Sequence, residues 1–588
     1  MLTSRQITYM AMFIAACLAS VDALTVSGQV NVGLSGANNR KINDTQVTSD
    51  RSNQPAADHS SNGIDVPNLV MPNAIGTDDI AVITTQGFEE STLSTSEFSF
   101  IPGELVDFPY EEAPHWAKLV ELGPRILSKP DERLGRIFGH IFHMEHDHIE
   151  TELSENSIGL QPIPPRPNLL VEWNEQFMSP GFLNQGIELP TGAVWRPSLW
   201  VFGQYRAGFN YYDRDRSIDA VVEQVNRLDL FAQLNLSGTE RILAGFRPLD
   251  EENGSSRDFT GYDFRNGDSL DGWNAKFQTL FFEGDFGELF PMLDPYDHRG
   301  LDVGFSVGRM PLLAQQGLLI NEDMIDALTV TRNTLNGHGN LNLRLTGVFA
   351  WRGINRNSPV GQANEFDPGS KLYAFLTESD FANATVNVDG VYVDGDDAYG
   401  DLFAIGISSI RRHYLYENTY NTSLHLLTSF PSGEKTNYSD QGELLFAQTS
   451  WTPHHTEDLI YVNSFLAIDQ FTSPARGPAN GNALGQVGIL FSGIALGDYV
   501  APLAARTNDV AGASIGYQLF FDQTRSQVIW EFGGLKETKG TNQGAIGTGM
   551  RVQKAWGQHM ICILDGFVAK PEFERITQGV RAELLVKF

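Results

Sequence analysis

The last nine residues of the chain alternate between apolar and charged side chains. One face of an extended strand through this segment carries Val580, Ala582, Leu584, Val586 and Phe588. The other face carries Arg581, Glu583 and Lys587, with Leu585 as its one apolar member. Because successive side chains of a strand point to opposite sides, this pattern predicts a strand that separates an apolar environment from a polar one.

This ending resembles the C-terminal strand of Gram-negative outer-membrane β-barrels, whose terminal aromatic residue belongs to the signal read by the barrel-assembly machinery. The resemblance implies that Phe588, Val586 and Leu584 form an assembly signal. It also implies an all-β fold, a transmembrane antiparallel β-barrel. From about residue 190 onwards we count roughly 16 to 18 alternating segments, and single-chain bacterial barrels favour even strand numbers.

The composition excludes some classes of function. The chain of 588 residues has 41 Lys and Arg against 72 Asp and Glu, a formal net charge of -31. This charge argues against a nucleic-acid partner, which requires clustered cations, and against docking of a soluble protein on anionic lipid. The mean hydropathy of -0.21 fits a soluble protein, but it fits a barrel equally well, since half of each spanning strand faces water.

The N-terminus predicts export from the cytoplasm. Residues 1–23 have the features of a signal peptide: Arg5, an apolar run over Ile7–Ala19, and small residues before a cleavage site at Ala23. The run is too short for a transmembrane helix. Residues 14–17 are also similar to a bacterial lipobox, and cleavage there would leave a lipidated Cys17. Cleavage at Ala23 would leave Cys562 as the only cysteine, so no internal disulfide could form.

The composition then divides the chain into four further parts. Residues 24–103 are rich in Ser, Thr, Asn, Asp and Gly, which predicts a mostly disordered segment. Residues 104–160 predict a helical periplasmic segment, with a capping box at Ser128–Asp131 before apolar residues at helical spacing. Residues 161–189 form a Pro-rich linker. Residues 190–588 form the barrel, in the outer membrane, with the extension in the periplasm.

Individual strands can be predicted from the alternation. Leu228, Leu230, Ala232, Leu234 and Leu236 alternate with polar residues, and a turn at 237–240 leads to Ile242, Ala244 and Phe246. A further segment places Trp273, Ala275, Phe277 and Phe281 against Asn274, Lys276 and Gln278. The stretches 250–272 and 472–485 predict long outer loops. Tryptophans at strand ends predict aromatic girdles; they are Trp195, Trp200, Trp273, Trp351, Trp451 and Trp530.

The polar faces of these strands would point into a closed barrel. A lumen that contains both charge signs and amides suits a water-filled channel for small hydrophilic solutes. The predicted pore-lining residues are Arg227, Asp229, Gln233, Arg241, Arg247, Lys276, Gln278, Arg344, Glu531, Arg581 and Glu583.

No motif predicts an enzyme, a metal site or a cofactor. The sequence has no Gly-x-Ser-x-Gly, His-Glu-x-x-His, Walker or Cys-x-x-Cys motif. His425, His454 and His455 lie near serines, as chance allows. His140, His143 and Asp147 would share a helix face able to hold a divalent metal, but a solvated His-rich face is favoured. The acidic run 389–401 lacks the spacing of a calcium loop and predicts a solvated hairpin tip.

We therefore predict a porin-like channel for the diffusion of small hydrophilic solutes. The expected partners are outer-membrane lipid, the barrel-assembly machinery and small polar solutes. The extension would supply contact with the cell wall or homo-oligomerisation, and it departs from ordinary porins, whose first strand follows the signal almost directly. One alternative is an export channel for an anionic polysaccharide, as in alginate exporters, attracted by the arginines at 227, 241, 247 and 344. Another is a secreted β-rich binding protein.

Overall fold

The computed structural model describes residues 166–588 apart from short gaps. The predicted signal peptide, low-complexity segment, helical segment, Cys17 and the His-rich stretch 140–148 all lie outside the described residues. No described helix has the length and hydropathy needed to cross a membrane. The gaps are 180–184, 214–219, 251–258, 266, 271, 297–299, 336, 338, 358–363, 416–417, 454–455, 476–487, 493–495, 498, 500, 504–505 and 523.

Strands make up most of the described chain. In chain order they are β1 (Val171–Trp173), β2 (Ile187–Glu188), β3 (Val194–Trp195), β4 (Ser198–Asp213), β5 (Val221–Asn235), β6 (Arg241–Phe246), β7 (Thr260–Asp263), β8 (Asp268–Leu270), β9 (Phe277–Asp285), β10 (Val303–Ala314), β11 (Ile320–Leu335), β12 (Asn342–Arg352), β13 (Asn355–Asn357), β14 (Asn364–Phe366), β15 (Lys371–Phe381), β16 (Ala384–Asp394), β17 (Leu402–Leu415), β18 (Asn418–Pro431), β19 (Gly442–Trp451), β20 (Leu459–Gln470), β21 (Asn508–Phe521), β22 (Ser526–Glu537), β23 (Gly544–Trp556), β24 (Met560–Pro571) and β25 (Thr577–Lys587). The described helices are short: α1 (Phe286–Leu289) and the 3-10 turns Pro291–Leu293 and Gln315–Gly317.

Eighteen of these strands close into one antiparallel barrel. The ring runs through β4, β5, β6, β9 to β12 and β15 to β25, and it closes where β25 pairs with β4. The predicted all-β barrel class is therefore confirmed, at the upper end of the expected strand range. Two pairs of strands lie outside the ring as separate two-stranded sheets, β2 with β3 and β13 with β14, and β7 pairs with part of β5.

The alternation of the last strand has the consequence that the sequence predicts. In β25 the side chains of Arg581 and Glu583 are buried, whereas Val580 is 59% exposed on the opposite face. The same holds around the ring, because inward polar residues are covered by the barrel and outward apolar residues are not. The outer surface of the described barrel is accordingly largely apolar.

The two ends of the barrel differ in their connections. At one end, called the turn end, most connections are short, such as 236–240, 382–383 and 557–559. The C-terminus lies at this end, where Phe588 exchanges two backbone hydrogen bonds with Gly203 of β4 (N···O 2.7 and 3.0 Å). At the other end, called the loop end, the connections 247–276, 353–370 and 471–507 are long. Both predicted long loops fall within the bounds of these connections.

One predicted strand starts later than expected and contains a β-bulge. The strand predicted from Trp273 begins only at Phe277, and the pairing of β6 with β9 shifts between Gly245 and Phe246, which leaves Gln278 as an extra residue. A one-residue shift exchanges the two faces of a strand. Phe277 is therefore 41% exposed, while Phe281, predicted on the same face, is buried inside the barrel.

Only three of the six tryptophans predicted for the girdles lie on outward positions of the ring. Trp351, Trp451 and Trp530 lie on outward positions of their strands, and Trp351 and Trp530 are exposed. The predicted outward position of Trp200 is wrong, because Trp200 shares the inward face of β4 with Arg206. Its Nε1 donates a hydrogen bond to the carbonyl of Glu175 (2.8 Å). Trp195 lies in β3, outside the ring, and Trp273 lies in a connection.

The segment predicted as a Pro-rich linker takes part in the sheet. Within 161–189, β1 pairs with the first residues of β4, with Glu172 opposite Trp200. The pairing of β25 with β4 ends at Gln204, so β1 covers the stretch of β4 that β25 does not reach. An exposed strand edge is a site of unwanted pairing, and β1 covers this edge.

Candidate functional site in the barrel interior

A ladder of ion pairs crosses the inner wall where the barrel closes. Arg206 of β4 binds Glu583 of β25 through two hydrogen bonds of 2.6 and 3.0 Å. Arg581 contacts Glu583 and also Asp565 of β24 (Nε···Oδ2 2.7 Å), and Arg551 of β23 binds the other oxygen of Asp565 at 2.7 Å. The inward residues of four adjacent strands are thus joined in one chain of alternating charge.

A second branch of the ladder lies on β5 and the connection that follows β6. Asp229 accepts hydrogen bonds from Arg227 and Arg247, each with an N···O distance of 2.9 Å. The ladder in total contains five guanidinium groups and three carboxylates, all nearly inaccessible to solvent. Buried charges of this kind persist only when they are paired, because desolvation of an isolated charge is costly.

The connection between β20 and β21 folds into the barrel. We call residues 471–507 the inserted segment; its gaps are given above. Most of its described apolar side chains are buried against inward residues of the wall. Phe491 meets Phe465 edge to face with ring centroids 5.9 Å apart, and Tyr499 meets Phe567 at 5.8 Å. The prediction of a polar outer loop at 472–485 therefore missed that residues on both sides of this stretch enter the interior; 476–487 lie outside the description.

Glu531 of β22 anchors the inserted segment. Its two carboxylate oxygens accept hydrogen bonds from the backbone N–H groups of Ile489 and Leu490, both at 3.0 Å. Tyr461 of β20 donates its hydroxyl to the same carboxylate. A second anchor lies on β4, where Asn210 donates to the carbonyl of Leu496 (3.0 Å) and to Glu223 (2.8 Å).

Glycines of the wall make room for this segment. A Cβ atom at Gly533 would lie 3.2 Å from Leu490, and one at Gly208 would lie 2.9 Å from Leu496. Gly488, within the segment, has φ +74°, and a Cβ there would lie 2.0 Å from the carboxylate of Glu531. Glycine is required at this last position for both its conformation and its lack of a side chain.

A second, shorter insertion joins the first one. The turn Gln315–Gly317 follows β10 with three successive positive φ values of 53°, 55° and 82°. The amide of Gln315 donates to Asp389 (2.7 Å) and its oxygen lies 2.9 Å from Nδ1 of His425. Ser473 of the inserted segment donates to the carbonyl of Leu318 (3.0 Å). The two insertions therefore meet inside the barrel.

Several interior polar atoms have hydrogen-bonding capacity that the described chain does not use. Asn463 and Ser514 are cross-strand neighbours on β20 and β21, and Asn463 Nδ2 and Ser514 Oγ have no hydrogen-bond partner within the described residues. The same holds for Oγ of Ser408 on β17 and Oγ of Ser492 in the inserted segment. Such groups, facing inwards, can bond to water or to hydroxyl groups of a solute.

Water reaches the inner face near the turn end. Arg344 of β12 shares the inward face of its strand with the buried Val348, yet its side chain is 32% exposed. Its partner Glu378 on β15, at 3.1 Å, is 39% exposed. Because these two side chains face inwards and are still solvated, the interior is open to water at this end.

The predicted pore-lining residues are placed as follows. Seven are buried on inward positions or in the ladder: Arg227, Asp229, Gln233, Arg247, Glu531, Arg581 and Glu583. Arg241 and Arg344 face inwards and are paired with Glu283 and Glu378. Gln278 is the bulge residue and donates to Asp250 (3.1 Å), and Lys276 is exposed in the connection before β9.

Sequence reasoning missed Arg206, Arg551, Asp565 and Tyr461. The sequence could have indicated an inward position for Asp565, since it is the one charged residue in the apolar run from Met560 to Ala569. Of the candidates that the sequence analysis set aside, His425 is buried against Gln315 and Gln316. The acidic residues between 389 and 401 do not lie together in one hairpin tip. Asp389 points inwards from β16, whereas residues 395–401 form a connection.

A charged contact at the loop end joins a connection to two adjacent strands. Lys539, in the connection of β22 and β23, binds Asp469 and Asp509 at 2.7 and 3.0 Å. These two residues lie where β20 ends and β21 begins, on either side of the inserted segment. The hydrogen bonds that Lys539 donates to the two carboxylates raise its pKa to about 12.

Comparison with known proteins finds similarity only among solved structures. No protein-family model and no curated protein matches the chain. The crystal structure of Pseudomonas aeruginosa OccK5 (OpdH) has 9% identity and a TM-score of 0.45, over 66% of this chain and 98% of that one. OccK1 (OpdK) of the same species has 11% identity and a TM-score of 0.44, with the same coverage. A BenF-like porin from Pseudomonas fluorescens Pf-5 has 10% identity and a TM-score of 0.47, again over 66% of this chain and 98% of that one.

Proposed function

We propose that this protein is a porin-like outer-membrane channel for the diffusion of small hydrophilic solutes. The observation that carries the proposal is a closed barrel whose outer face is apolar and whose inner face carries the ion-pair ladder. A secreted binding protein would have no use for this distribution, since it would expose an apolar band to water. The chemical role of the barrel is passage, with no catalytic step.

The path for solutes follows the polar side of the interior. The ladder on β23 to β25, β4 and β5 and the unused polar groups at Asn463, Ser492 and Ser514 face this side, but they are nearly inaccessible to solvent in this structure, so solutes reach them only if the side chains that cover them move. The inserted segment narrows this space from the loop end. We expect a channel with a low size limit that admits small polar molecules and excludes large ones.

The export of an anionic polysaccharide is not favoured. The arginines that would attract the polymer each have a carboxylate partner: Asp229 for Arg227 and Arg247, Glu283 for Arg241, and Glu378 for Arg344. Their charge is thus largely neutralised within the wall. The inserted segment also occupies part of the interior through which a polymer would have to pass.

Two further roles belong to the proposal. The terminal residues Phe588, Val586 and Leu584 act as the signal for the barrel-assembly machinery, since they lie on the outward face of β25 at the turn end. The N-terminal extension remains in the periplasm and contacts the cell wall or supports homo-oligomerisation. β1 supports this location, because it joins the barrel at the turn end, beside the C-terminus.

The first experiment is single-channel recording of the full-length protein, refolded in detergent, in a planar bilayer. Ohmic conductance steps support the channel, and the reversal potential in a salt gradient gives its charge preference. Liposome swelling with neutral sugars of increasing size gives the size limit. A folded barrel, identified by heat-modifiable electrophoretic migration, that gives neither conductance nor swelling would refute the proposed passage of solutes.

The assembly signal is tested separately. Phe588→Ala should reduce the amount of heat-modifiable barrel in outer membranes, because it removes the terminal aromatic ring. Phe573→Ala is the matched control, since this ring is 71% exposed in the connection at the loop end. Equal assembly of the two variants would argue against a role for the terminal residue.

A further inference from the structure

Six residues near the turn end form a polar and aromatic patch on the outside of the barrel. We call it the outer patch. Its members lie on three adjacent strands, and the register places them side by side: Arg411 and His413 on β17, Tyr420 and Thr422 on β18, and Thr449 and Trp451 on β19. The rings of His413 and Tyr420 stack at 5.6 Å, and those of Tyr420 and Trp451 lie 5.7 Å apart.

The strand register assigns the outer patch to the outward face. In β17, Leu402 and Ala404 are buried inside the barrel, whereas Phe403 and Ile407 are 38% and 39% exposed outside. The pairing of β17 with β18 has no bulge from Leu402 to Leu415, so the alternation continues unchanged. Arg411 therefore shares the outward face with Ile407 and lies closer to the turn end.

Arg411 differs from Arg309, another outward arginine of the barrel wall. Arg309 on β10 binds Asp326 through two hydrogen bonds of 2.8 and 3.1 Å. Arg411 has no acidic partner among the described residues; its neighbour on β18 is Thr422, and the pairing of β16 with β17 ends one residue before it. An outward cation beside the apolar band is costly unless an anion neutralises it.

Unused polar atoms gather in the same patch. Nε of Arg411, Nδ1 of His413 and Nε1 of Trp451 are all buried, and none has a hydrogen-bond partner within the described chain. The hydroxyls of Thr422 and Thr449 lie 3.4 Å apart beside them. Arg411 is only partly covered, and its guanidinium group beside the two threonine hydroxyls suits an anion with several oxygens, which arginine binds with well-defined geometry.

We propose that the outer patch binds the phosphate group of a phospholipid in the leaflet at the turn end. A lipid fits this position because the patch lies between the apolar wall, which contacts acyl chains, and the turns, which reach water. Aromatic side chains at that depth fit the interface between acyl chains and head groups. The inference rests on the membrane location proposed above, but not on the passage of solutes.

The test is native mass spectrometry of the full chain in detergent micelles, titrated with phosphatidylglycerol. Arg411→Gln should weaken lipid retention about tenfold, the effect of losing a hydrogen bond between charged groups. Arg412→Gln is the matched control, because Arg412 is the next residue and lies on the opposite face of β17. It should bind lipid as the wild type does. Thr449→Val should give a smaller loss than Arg411→Gln.

The competing outcomes are distinct. Equal retention by the wild type and by Arg411→Gln would overturn the proposal, as would equal losses in the two arginine variants. Displacement of the lipid by millimolar inorganic phosphate would assign the patch to a free anion and overturn the lipid site. Conductance recorded from the same samples tests the channel independently of the lipid site. A barrel that binds lipid through Arg411 but does not conduct would contradict the proposed channel and leave the lipid site supported.

Discussion

The anchor at Glu531 gives the sharpest prediction about the proposed channel. Glu531→Gln keeps the size of the side chain but leaves one oxygen where the carboxylate has two. Both oxygens accept a backbone N–H of the inserted segment at 3.0 Å. The amide nitrogen cannot accept, so either Ile489 or Leu490 loses its partner, and the remaining bond loses its charge.

The magnitude follows from these contacts. A buried N–H group without a partner costs about 1–3 kcal/mol, and a bond to a charged group is stronger than a neutral one by about 1 kcal/mol. The substitution therefore weakens the anchor by about 3 kcal/mol, which moves the equilibrium towards a released segment by roughly a hundredfold. Tyr461→Phe removes one donor and keeps both backbone bonds, so it should have a smaller effect in the same direction.

Single-channel recording measures the consequence. We expect Glu531→Gln to show larger conductance and more open-channel noise than the wild type, with Tyr461→Phe between the two. Gly488→Ala should resemble Glu531→Gln, because its φ of +74° and its closeness to the carboxylate exclude a Cβ atom. Unchanged conductance and noise in all three variants, with normal heat-modifiable migration, would show that Glu531 does not hold a constriction.

Two further predictions concern the ladder and the loop end. Glu583→Gln leaves the buried Arg206 and Arg581 without a charged partner at this position and should destabilise the barrel by about 3–5 kcal/mol, measured by thermal unfolding in detergent; an unchanged unfolding temperature would contradict the ladder's role. Because the pKa of Lys539 is raised from 10.5 to about 12, its two ion pairs stabilise the folded protein fully below about pH 10.5. This stabilisation is lost only as the pH rises through about 12. Protease resistance of the inserted segment should therefore not change between pH 6 and 9, but should fall in Lys539→Gln.

The sequence predicts well what depends on local alternation. The outward leucines of β5 and the inward charges of β25 follow from a period of two, because each strand separates an apolar outer face from a polar interior. The bulge at Gln278 has no such local cause. It depends on how β6 pairs with β9, and one added residue was enough to reverse the face of Phe281.

The interior depends on contacts that local patterns do not contain. Glu531 is recognisable as an inward polar residue, but its partners Ile489 and Leu490 are 42 and 41 residues away in an irregular stretch. The ladder has the same property, since the partner of Arg206 is 377 residues later. Side chains that meet across a closed ring can be assigned to a face from the sequence, but their partners cannot.

The seam between β4 and β25 also restricts the order in which the chain can fold. The first and last strands of the ring pair directly, and Arg206 and Phe588 both contribute to that closure. Contacts of such sequence separation have a large entropic cost before they form, and they form slowly. The ring cannot close while the last strand is missing, so a chain emerging residue by residue has an unpaired edge at β4 until synthesis is complete. Such a chain needs protection from aggregation during that interval.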